Sequence, residues 1–220
     1  MKIISLIPAR GGSKGIPKKN LSVIAGTTLL GLKVAQAKMT LANEIWVSTD
    51  NPEIKAEAIK NGAYVLDRPD SLSTDEASTD SMLIHAVECI PCEPDDIIVL
   101  LQTTSPLIEV NSINSCISQL IENKSLGSVI TIRESHPFMW VTKNGFSWEP
   151  SGHTRDLRPR RQDLDRGGWE TGGCYAIRVS AIQKQGVRYP APTGTVNVSF
   201  LESMDIDTPQ DLEMARNLLD

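Results

Sequence analysis

Cations and glycines are concentrated in one short stretch of the sequence, residues 8–20, directly after an apolar run. The stretch reads PARGGSKGIPKKN and contains Arg10, Lys14, Lys18 and Lys19. Glycines let backbone N–H groups approach a ligand closely, and concave groups of such donors bind anions. The spacing matches neither the G-x-x-x-x-G-K-[ST] loop nor the G-x-G-x-x-G loop. This basic loop is therefore predicted to bind a polyphosphate, and the alternative is a solvated surface loop.

Two carboxylates lie two positions apart near the end of the sequence, at Asp205 and Asp207. In an extended segment, residues i and i+2 point to the same side. Such a pair suits Mg²⁺, which takes one or two carboxylates together with phosphate oxygens and water. The run Asp207-Thr208-Pro209 is also a good helix start, so a capping role for Asp207 or Thr208 stays open.

Three further polar segments have the composition of ligand-binding loops. Residues 102–107 (QTTSPL) could bind a base or sugar, or could be a turn with a helix cap. Residues 68–75 (RPDSLSTD) form a second such loop. The third segment contains Arg155, Arg158, Arg160, Arg161 and Arg166. Arginine binds carboxylates and phosphates in a bidentate manner, but acids are interleaved here, so a self-paired surface is an equal alternative.

The elements that must position these loops alternate between strand and helix. Strands are predicted over residues 3–7, 44–48, 63–66, 96–101, 127–132, 173–178 and 197–201. Helices are predicted over residues 29–39, 52–61, 78–90, 111–121 and 208–219. The alternation predicts an α/β fold, with a mainly parallel sheet and helices on both faces. Ligands bind such sheets beyond the carboxyl ends of the strands, where residues 9–20, 49–52, 67–77 and 102–109 lie.

The alternation stops over residues 133–168, which are rich in Pro, Gly, Trp and Arg. We expect an insertion here, or a dimerisation arm, within a single domain that covers residues 1–220.

The charge balance excludes some partners. The 220 residues include 22 Lys and Arg and 27 Asp and Glu, a net charge of −5 that argues against broad nucleic-acid binding. The apolar runs are far shorter than the ~20 residues of a membrane span, and no signal-peptide core is present, so a cytoplasmic location without membrane contact is expected. Seven cations precede the first acid, and two of them, Lys33 and Lys38, are expected on a solvated helix face.

Together these segments resemble the acylneuraminate cytidylyltransferases, or CMP-sialic acid synthetases, over nearly the whole chain. The matching segments are residues 7–21 (IPARGGSKGIPKKNL), 47–50 (VSTD), 68–78, 100–107 (LLQTTSPL), 160–163 (RRQD) and 203–208 (SMDIDT). The first and last are the most specific. The related Kdo cytidylyltransferases lack the S-K-G-I-P-x-K-N-L run, so the sialic acid branch is the better match.

The resemblance implies a three-layer nucleotidyltransferase fold and a homodimer whose insertion reaches the partner. It implies a Mg²⁺-dependent reaction in which CTP and a nine-carbon 2-keto sugar acid give a CMP-sugar and pyrophosphate. The anomeric hydroxyl of the sugar attacks the α-phosphorus of CTP in this family.

The resemblance also implies roles for individual residues. The CTP phosphates are expected at Arg10, Ser13, Lys19, Lys14 and the backbone of Ala9, Gly11, Gly12 and Gly15. The rest of the nucleotide is expected at Asn20, Arg68 and Ser81, and the sugar at Gln102, Thr104, Ser105, Arg161 and Gly173. The metal ligands are Asp205 and Asp207, and Asp207 could alternatively accept the hydroxyl proton. The expected catalytic residues are Arg10, Lys19 and Asp207.

Two departures from the family pattern concern the sugar. Thr103 and Ile108 replace a common proline and arginine, and Gly172 replaces an asparagine expected near the sugar. Sialic, deaminated, legionaminic and pseudaminic acids therefore all stay open as substrates. The alternatives to this activity are a Kdo-like acceptor, another nucleotide such as UTP, and a catalytically silent nucleotide-binding module.

Overall fold

The computed structural model describes residues 1–13, 15–135, 138–142, 144–151, 160, 163 and 167–219. Within these residues a seven-stranded sheet lies between two groups of helices. The predicted three-layer α/β fold with a mainly parallel sheet is confirmed. Predictions for Lys14 and Arg161 lie outside the described residues.

The central sheet is built around a buried first strand. In chain order the strands are β1 (Ile3–Pro8), β2 (Val23–Ile24), β3 (Thr27–Thr28), β4 (Glu44–Thr49), β5 (Tyr64–Asp67), β6 (Ile97–Leu101), β7 (Ser128–Ser135), β8 (Met139–Val141), β9 (Glu149–Ser151), β10 (Gly167–Arg178) and β11 (Thr193–Asn197). The sheet order is β11-β7-β10-β6-β1-β4-β5, with β10 antiparallel to both neighbours and the other pairs parallel. After β1 the chain adds β4 and β5 on one side and then β6 on the other. This switch in strand order opens a crevice at the carboxyl end of β1.

The helices cover both faces of the sheet. They are α1 (Leu29–Lys38), α2 (Pro52–Lys60), α3 (Thr79–Cys89), α4 (Val110–Glu122), α5 (Val179–Gln185) and α6 (Pro209–Leu219). The apolar sides of α1, α2 and α4 pack on one face, and those of α3 and α5 pack on the other. Side-chain oxygens of Thr28, Asn51 and Ser78 accept backbone N–H groups at the starts of α1, α2 and α3, which fixes where these helices begin.

A third apolar cluster lies beside the sheet and brings the two ends of the chain together. It packs Ile16, Ile24 and Leu29 against Ile206 and the buried side of α6. Ile16 belongs to the basic loop, and Ile206 stands between the two aspartates. Burial of these apolar side chains therefore holds the basic loop against the aspartate segment.

The β2–β3 hairpin and helix α5 are among the short elements that the sequence prediction lacks. The β2–β3 hairpin turns at Ala25 and Gly26, both with positive φ (46° and 72°), and Ala-Gly is not a usual turn pair. Helix α5 follows β10 without a polar linker and has only seven residues. The predicted strand at residues 197–201 is wrong, because the edge strand ends at Asn197 and Phe200 and Leu201 lie in a turn.

A separate two-stranded sheet, β8 with β9, lies within the region predicted as an insertion. In the described part of the chain, no helix is long and apolar enough to cross a bilayer.

Candidate active site

A cavity of about 410 Å³ opens at the carboxyl ends of β1, β5 and β6. We call it the basic cavity, because the basic loop forms one wall. The predicted site residues that line it are Arg10, Gly12, Ser13, Gly15, Lys19, Asn20, Arg68, Gln102, Thr104 and Asp207. Three of the four predicted strand-end loops, residues 9–20, 67–77 and 102–109, therefore meet at this edge of the sheet, whereas no residue of 49–52 lines the cavity.

Lys19 links the basic loop to the aspartate segment. Its Nζ donates to the carbonyl oxygen of Ile206 at 2.6 Å and lies 3.6 Å from Oδ1 of Asp207. Gly15 approaches the same segment so closely that a Cβ there would lie 2.4 Å from the carbonyl oxygen of Asp207. Only glycine permits this approach, and it brings cations and carboxylates into one site.

The Asp205–Asp207 segment exposes its acids and buries the residue between them. Ile206 is fully buried, whereas Asp205 and Asp207 are exposed. Asp207 lines the basic cavity, and Asp205 lines a second cavity described below. The buried isoleucine therefore anchors the segment while both carboxylates stay available to ligands.

The start of α6 decides between the capping and metal roles of Asp207. The Thr208 hydroxyl and backbone N–H both donate to Oδ2 of Asp211, and the Asp211 N–H donates back to the Thr208 hydroxyl at 3.3 Å. This reciprocal pair resembles a capping box. The Asp207 backbone also donates to Asp211, so the Asp207 carboxylate is not used as the cap.

The carboxylate of Asp205 has a raised pKa. Desolvation by surrounding protein is the largest cause and Asp207 adds to it, while a hydrogen bond with Thr104 acts in the opposite direction. The group has accessible surface, but it stands in a concave wall where little bulk water surrounds it. Crowded carboxylate oxygens of this kind favour a nearby cation.

Arg68 is a buried cation in the wall of the basic cavity. Its Nε donates to Oγ of Ser48 at 3.1 Å, and its Nη2 donates to the Ser48 carbonyl oxygen at 2.7 Å. Burial lowers the pKa of Arg68 to about 10. The negative charge of Asp50 raises this pKa in part, and the positive charge of Arg10 lowers it. Arg68 therefore stays charged at neutral pH and contributes positive potential to the cavity.

Arg10 closes the cavity on its outer side. Its Nη1 donates to the carbonyl oxygen of Thr74 at 2.8 Å and forms an ion pair with Asp75 at 2.9 Å. The predicted loop at residues 67–77 is thereby tied to the basic loop. An entering polyphosphate would compete with Asp75 for this guanidinium.

Residues 102–108, which we call the central loop, connect the parts of the site. Thr103 Oγ1 donates to Oδ1 of Asn20 at 2.6 Å, and Asn20 donates to the Arg10 carbonyl oxygen. The Thr104 carbonyl oxygen accepts the N–H of Ile206 at 2.8 Å. Thr103, which replaces the proline of the family pattern, thus supplies a hydroxyl that orients Asn20.

The prediction that Lys33 lies on a solvated helix face is wrong. Lys33 is fully buried, and its Nζ donates to the carbonyl oxygen of Ser105 in the central loop at 2.8 Å. Lys38, on the same helix, is exposed as predicted. Helix α1 is covered on two sides, by the sheet at Leu30 and by the third cluster at Leu29, so few of its positions reach water.

A second cavity, of about 530 Å³, adjoins the first, and Gln102 lines both. We call it the apolar cavity. Its apolar wall consists of Trp169, Phe200, Leu201, Met204, Met214 and Leu218. Its polar groups include Asp205, Gln102 and Arg133, whose guanidinium carbon lies 5.2 Å from the centre of the Phe200 ring. Sequence reasoning missed Arg133, because the predicted strand ended at residue 132, whereas β7 continues to Ser135.

Four predicted residues, Ala9, Gly11, Ser81 and Ser105, line neither cavity. Ala9 is buried, and the Gly11 N–H already donates to Asp50 at 2.9 Å. The Ser81 hydroxyl donates to the Ser78 carbonyl oxygen, and Ser105 is a fully buried residue of the central loop.

Gly173 packs against Ile108, where a Cβ would lie 2.8 Å from Cδ1, and its neighbour Gly172 lines the apolar cavity instead. Ile108 replaces the arginine of the family pattern and is buried.

Two of the predicted cations, Lys18 and Arg160, are paired with acids. Lys18 pairs with Glu53 at 2.7 Å, and Arg160 forms a two-bond pair with Asp163 at 2.7 and 3.1 Å. The self-paired alternative therefore holds for Arg160, while the other predicted arginines of that cluster lie outside the described residues.

Similarity to known proteins extends over most of the chain. A family model described as cytidylyltransferase matches residues 4–144. The chain is 34% identical over 218 residues to N-acylneuraminate cytidylyltransferase A of Danio rerio, which covers 97% of this chain and 50% of that protein. It is 28% identical over 227 residues to a pseudaminic acid cytidylyltransferase of Campylobacter jejuni, which covers 99% and 96%. The chain thus spans about half the length of the zebrafish relative.

Solved structures support the fold. The structure of CMP:2-keto-3-deoxy-manno-octonic acid synthetase complexed with CTP superposes with a TM-score of 0.74 at 20% identity, over 100% of this chain and 98% of that one. A 4-diphosphocytidyl-2C-methyl-D-erythritol synthase from Anaerococcus prevotii gives a TM-score of 0.67 at 13% identity. Because the family model matches more than half of the residues of this chain, the chain belongs to the cytidylyltransferase family.

Proposed function

We propose that the chain transfers the CMP group of CTP to the anomeric hydroxyl of a nine-carbon 2-keto sugar acid and releases pyrophosphate. The observation that carries this proposal is the meeting of two cavities at the aspartate segment. Asp207 lines the basic cavity, Asp205 lines the apolar cavity, and Gln102 borders both. A site with two compartments and paired acids at their junction suits a transfer between two ligands.

The basic cavity is the proposed CTP site. Lys19, Arg10 and Arg68 supply positive charge at its wall or directly behind it. The triphosphate is proposed to bind these cations and the glycine backbone, while Asn20 binds the sugar or base side of the nucleotide. Phosphoryl transfer depends mainly on such positioning and charge neutralisation.

The apolar cavity is the proposed acceptor site. Gln102 and Asp205 stand on the side nearest the nucleotide, and Arg133 offers a cation to the acceptor's carboxylate. Arg161, which the family resemblance also places near the acid, lies outside the described residues. The relatives named for N-acylneuraminate and pseudaminic acid support a nine-carbon acid as the acceptor class.

The carboxylates of Asp205 and Asp207 fit Mg²⁺. Neither caps α6, and crowding raises the pKa of Asp205, so a cation there would relieve an unfavourable charge. Among the described residues no cluster has three or more His, Cys, Asp or Glu side chains placed for a metal, so phosphate oxygens and water must complete the shell. When bound, Mg²⁺ would neutralise phosphate charge and acidify the attacking hydroxyl.

The residues of the chain orient the displacement. The anomeric oxygen forms a bond to the α-phosphorus, and the bond from that phosphorus to the β-phosphate oxygen breaks. Lys19 and Arg10 stabilise charge on the departing pyrophosphate. Asp207 would hold the metal, and the alternative role of its carboxylate is to accept the hydroxyl proton.

The proposal includes a homodimer that forms through residues 133–168. The β8–β9 hairpin supports it, because Phe146 is 94% exposed and Trp148 is 52% exposed. Exposed apolar groups of this size mark interaction surfaces. The proposal also places the reaction in the cytoplasm, where CTP is available.

A pyrophosphate-release assay with CTP, Mg²⁺ and a panel of sugar acids tests the function. Release only when both ligands are present, and suppression by CMP but not by UMP, is the expected result. Tight CTP binding without release on any acid would instead indicate a silent nucleotide-binding module. Release from CTP with an eight-carbon acid, and with none of the nine-carbon acids, would indicate a Kdo-type acceptor.

A further inference from the structure

Lys33 is a buried cation that the proposed chemistry does not use. It lies on α1 beneath the central loop, with no accessible surface. Within the described residues it forms no ion pair with a carboxylate, and its Nζ donates to the carbonyl oxygen of Ser105 at 2.8 Å. A buried ammonium without a counter-ion is unfavourable, whereas methionine would fill a similar volume without that cost.

The surroundings of Lys33 oppose its positive charge. Burial lowers the pKa of Lys33 to about 7, and the nearby Cys174 thiol opposes the shift in part. Cys174 belongs to β10 and is hydrogen-bonded to Cys116 of α4, which, with burial, raises the pKa of the Cys174 thiol. The Lys33 ammonium therefore lies near the protonated thiol of Cys174 and the backbone of the central loop.

The central loop above Lys33 joins the two halves of the site. Thr103 orients Asn20 on the nucleotide side, and Thr104 binds the backbone between the aspartates. Lys33 holds the next residue, Ser105, from below. Gln36, one helical turn further along α1, donates to the carbonyl oxygens of Pro106 and Ile108 at 2.7 and 3.2 Å.

We infer that Lys33 is a positioning residue that acts from beneath the central loop, where its ammonium fixes Ser105 and thereby orients Thr103 toward Asn20 and Thr104 toward the aspartate segment. The inference rests on the proposed function, since it assigns Lys33 a part in that reaction. Its contribution is to geometry at the junction of the cavities rather than to the stability of the fold.

A positioning role and a structural role predict opposite outcomes for Lys33→Met. A structural lysine would lower both stability and activity when replaced. A positioning lysine would leave the thermal midpoint equal or higher, because the buried charge is gone, while turnover falls. The basic loop has its own anchors at Ile16 and Gly11, and Asn20 keeps its hydrogen bond to the Arg10 carbonyl oxygen, so CTP binding should change little.

The test compares Lys33→Met with Lys38→Met, an exposed lysine on the same helix. For each variant the thermal midpoint, the Kd for CTP and the kcat and KM of pyrophosphate release are measured. For Lys33→Met we expect a fall in kcat of about 10-fold or more, the size associated with losing a hydrogen bond from a charged group. The Kd for CTP should stay within about 3-fold of wild type, since the phosphate-binding cations are intact. Lys38→Met should match wild type throughout.

The outcomes separate this inference from the proposed function. Wild-type activity together with an unchanged kcat in Lys33→Met would overturn the inference alone. Absence of wild-type activity on every acid would overturn the proposed function, whatever the variant does. If Lys33→Met does not fold, Lys33→Gln keeps a donor without the charge. An intermediate kcat in Lys33→Gln supports the inference, and a wild-type kcat overturns it.

Discussion

Replacing Lys33 with methionine should stabilise the fold, and the gain should be larger at pH 6 than at pH 9. The folded-state pKa of Lys33 is about 7, below the ordinary value of 10.5. Between these two values the unfolded chain binds more protons than the folded chain. The contribution of Lys33 to the free energy of unfolding therefore rises with pH across this window, and its cost is greatest below pH 7.

The size of the effect follows from the shift in pKa. Lowering the pKa from 10.5 to about 7 corresponds to a cost of about 5 kcal/mol when the group is charged in the folded state. Integrated between pH 6 and pH 9, the change in this cost is about 3 kcal/mol. Loss of the hydrogen bond to Ser105 in the variant offsets roughly 1 kcal/mol, with little dependence on pH.

Urea unfolding followed by tryptophan fluorescence measures this difference, since the chain has four tryptophans. Wild type, Lys33→Met and Lys38→Met are compared at pH 6, 7, 8 and 9. Other titrating groups are shared by all three proteins and cancel in the comparison. The stability advantage of Lys33→Met should shrink as the pH rises, and that of Lys38→Met should not change.

Parallel stability curves for wild type and Lys33→Met from pH 6 to pH 9 would refute the reasoning. Such curves would mean that the ammonium keeps an ordinary pKa in the folded state. A lower stability of Lys33→Met at pH 6 would likewise show that the hydrogen bond to Ser105 outweighs the cost of burying the charge.

Three further predictions address the site and the assembly. Asp207→Ala should reduce pyrophosphate release by at least about 1000-fold with an unchanged thermal midpoint, and an active variant would contradict the metal role. Gly15→Ala should lower kcat by about 10-fold or more, because its Cβ would lie 2.4 Å from the carbonyl oxygen of Asp207, and the aspartate segment must move. Gly12→Ala meets no atom within 4 Å, and it should leave the thermal midpoint unchanged. Phe146→Ser should convert the proposed dimer to monomer in light scattering, and an unchanged mass would exclude Phe146 from the contact.

The sequence was sufficient to predict the parts of the site that lie on regular strand ends. The alternation of short apolar runs with periodic helices predicts the parallel sheet, and topology then brings the loops after β1, β5 and β6 together. Arg10, Arg68 and Gln102 could be predicted in this way, because their chemistry is visible in composition and their positions follow from strand order, whereas packing of Ile206 in the third cluster brings Asp207 to the site.

Other contacts depend on packing that periodicity does not show. Lys33 was misplaced because α1 is covered on two sides, which buries position 33 beneath the central loop, whereas Lys38 at the end of the helix is exposed. Thr208 and Asp211 cap helix α6, and this is visible only in the geometry of the helix start. Arg133 lines the apolar cavity because β7 continues past the apolar run that ends at residue 132 and stays paired with the long strand β10.

The most direct test of the central claim is mass detection of the products formed from CTP, Mg²⁺ and a nine-carbon sugar acid. The account predicts a CMP-sugar and pyrophosphate in equal amounts, with neither formed when CTP or the acid is omitted. Pyrophosphate without the sugar ester, or CMP as the sole nucleotide product, would contradict transfer between the two cavities.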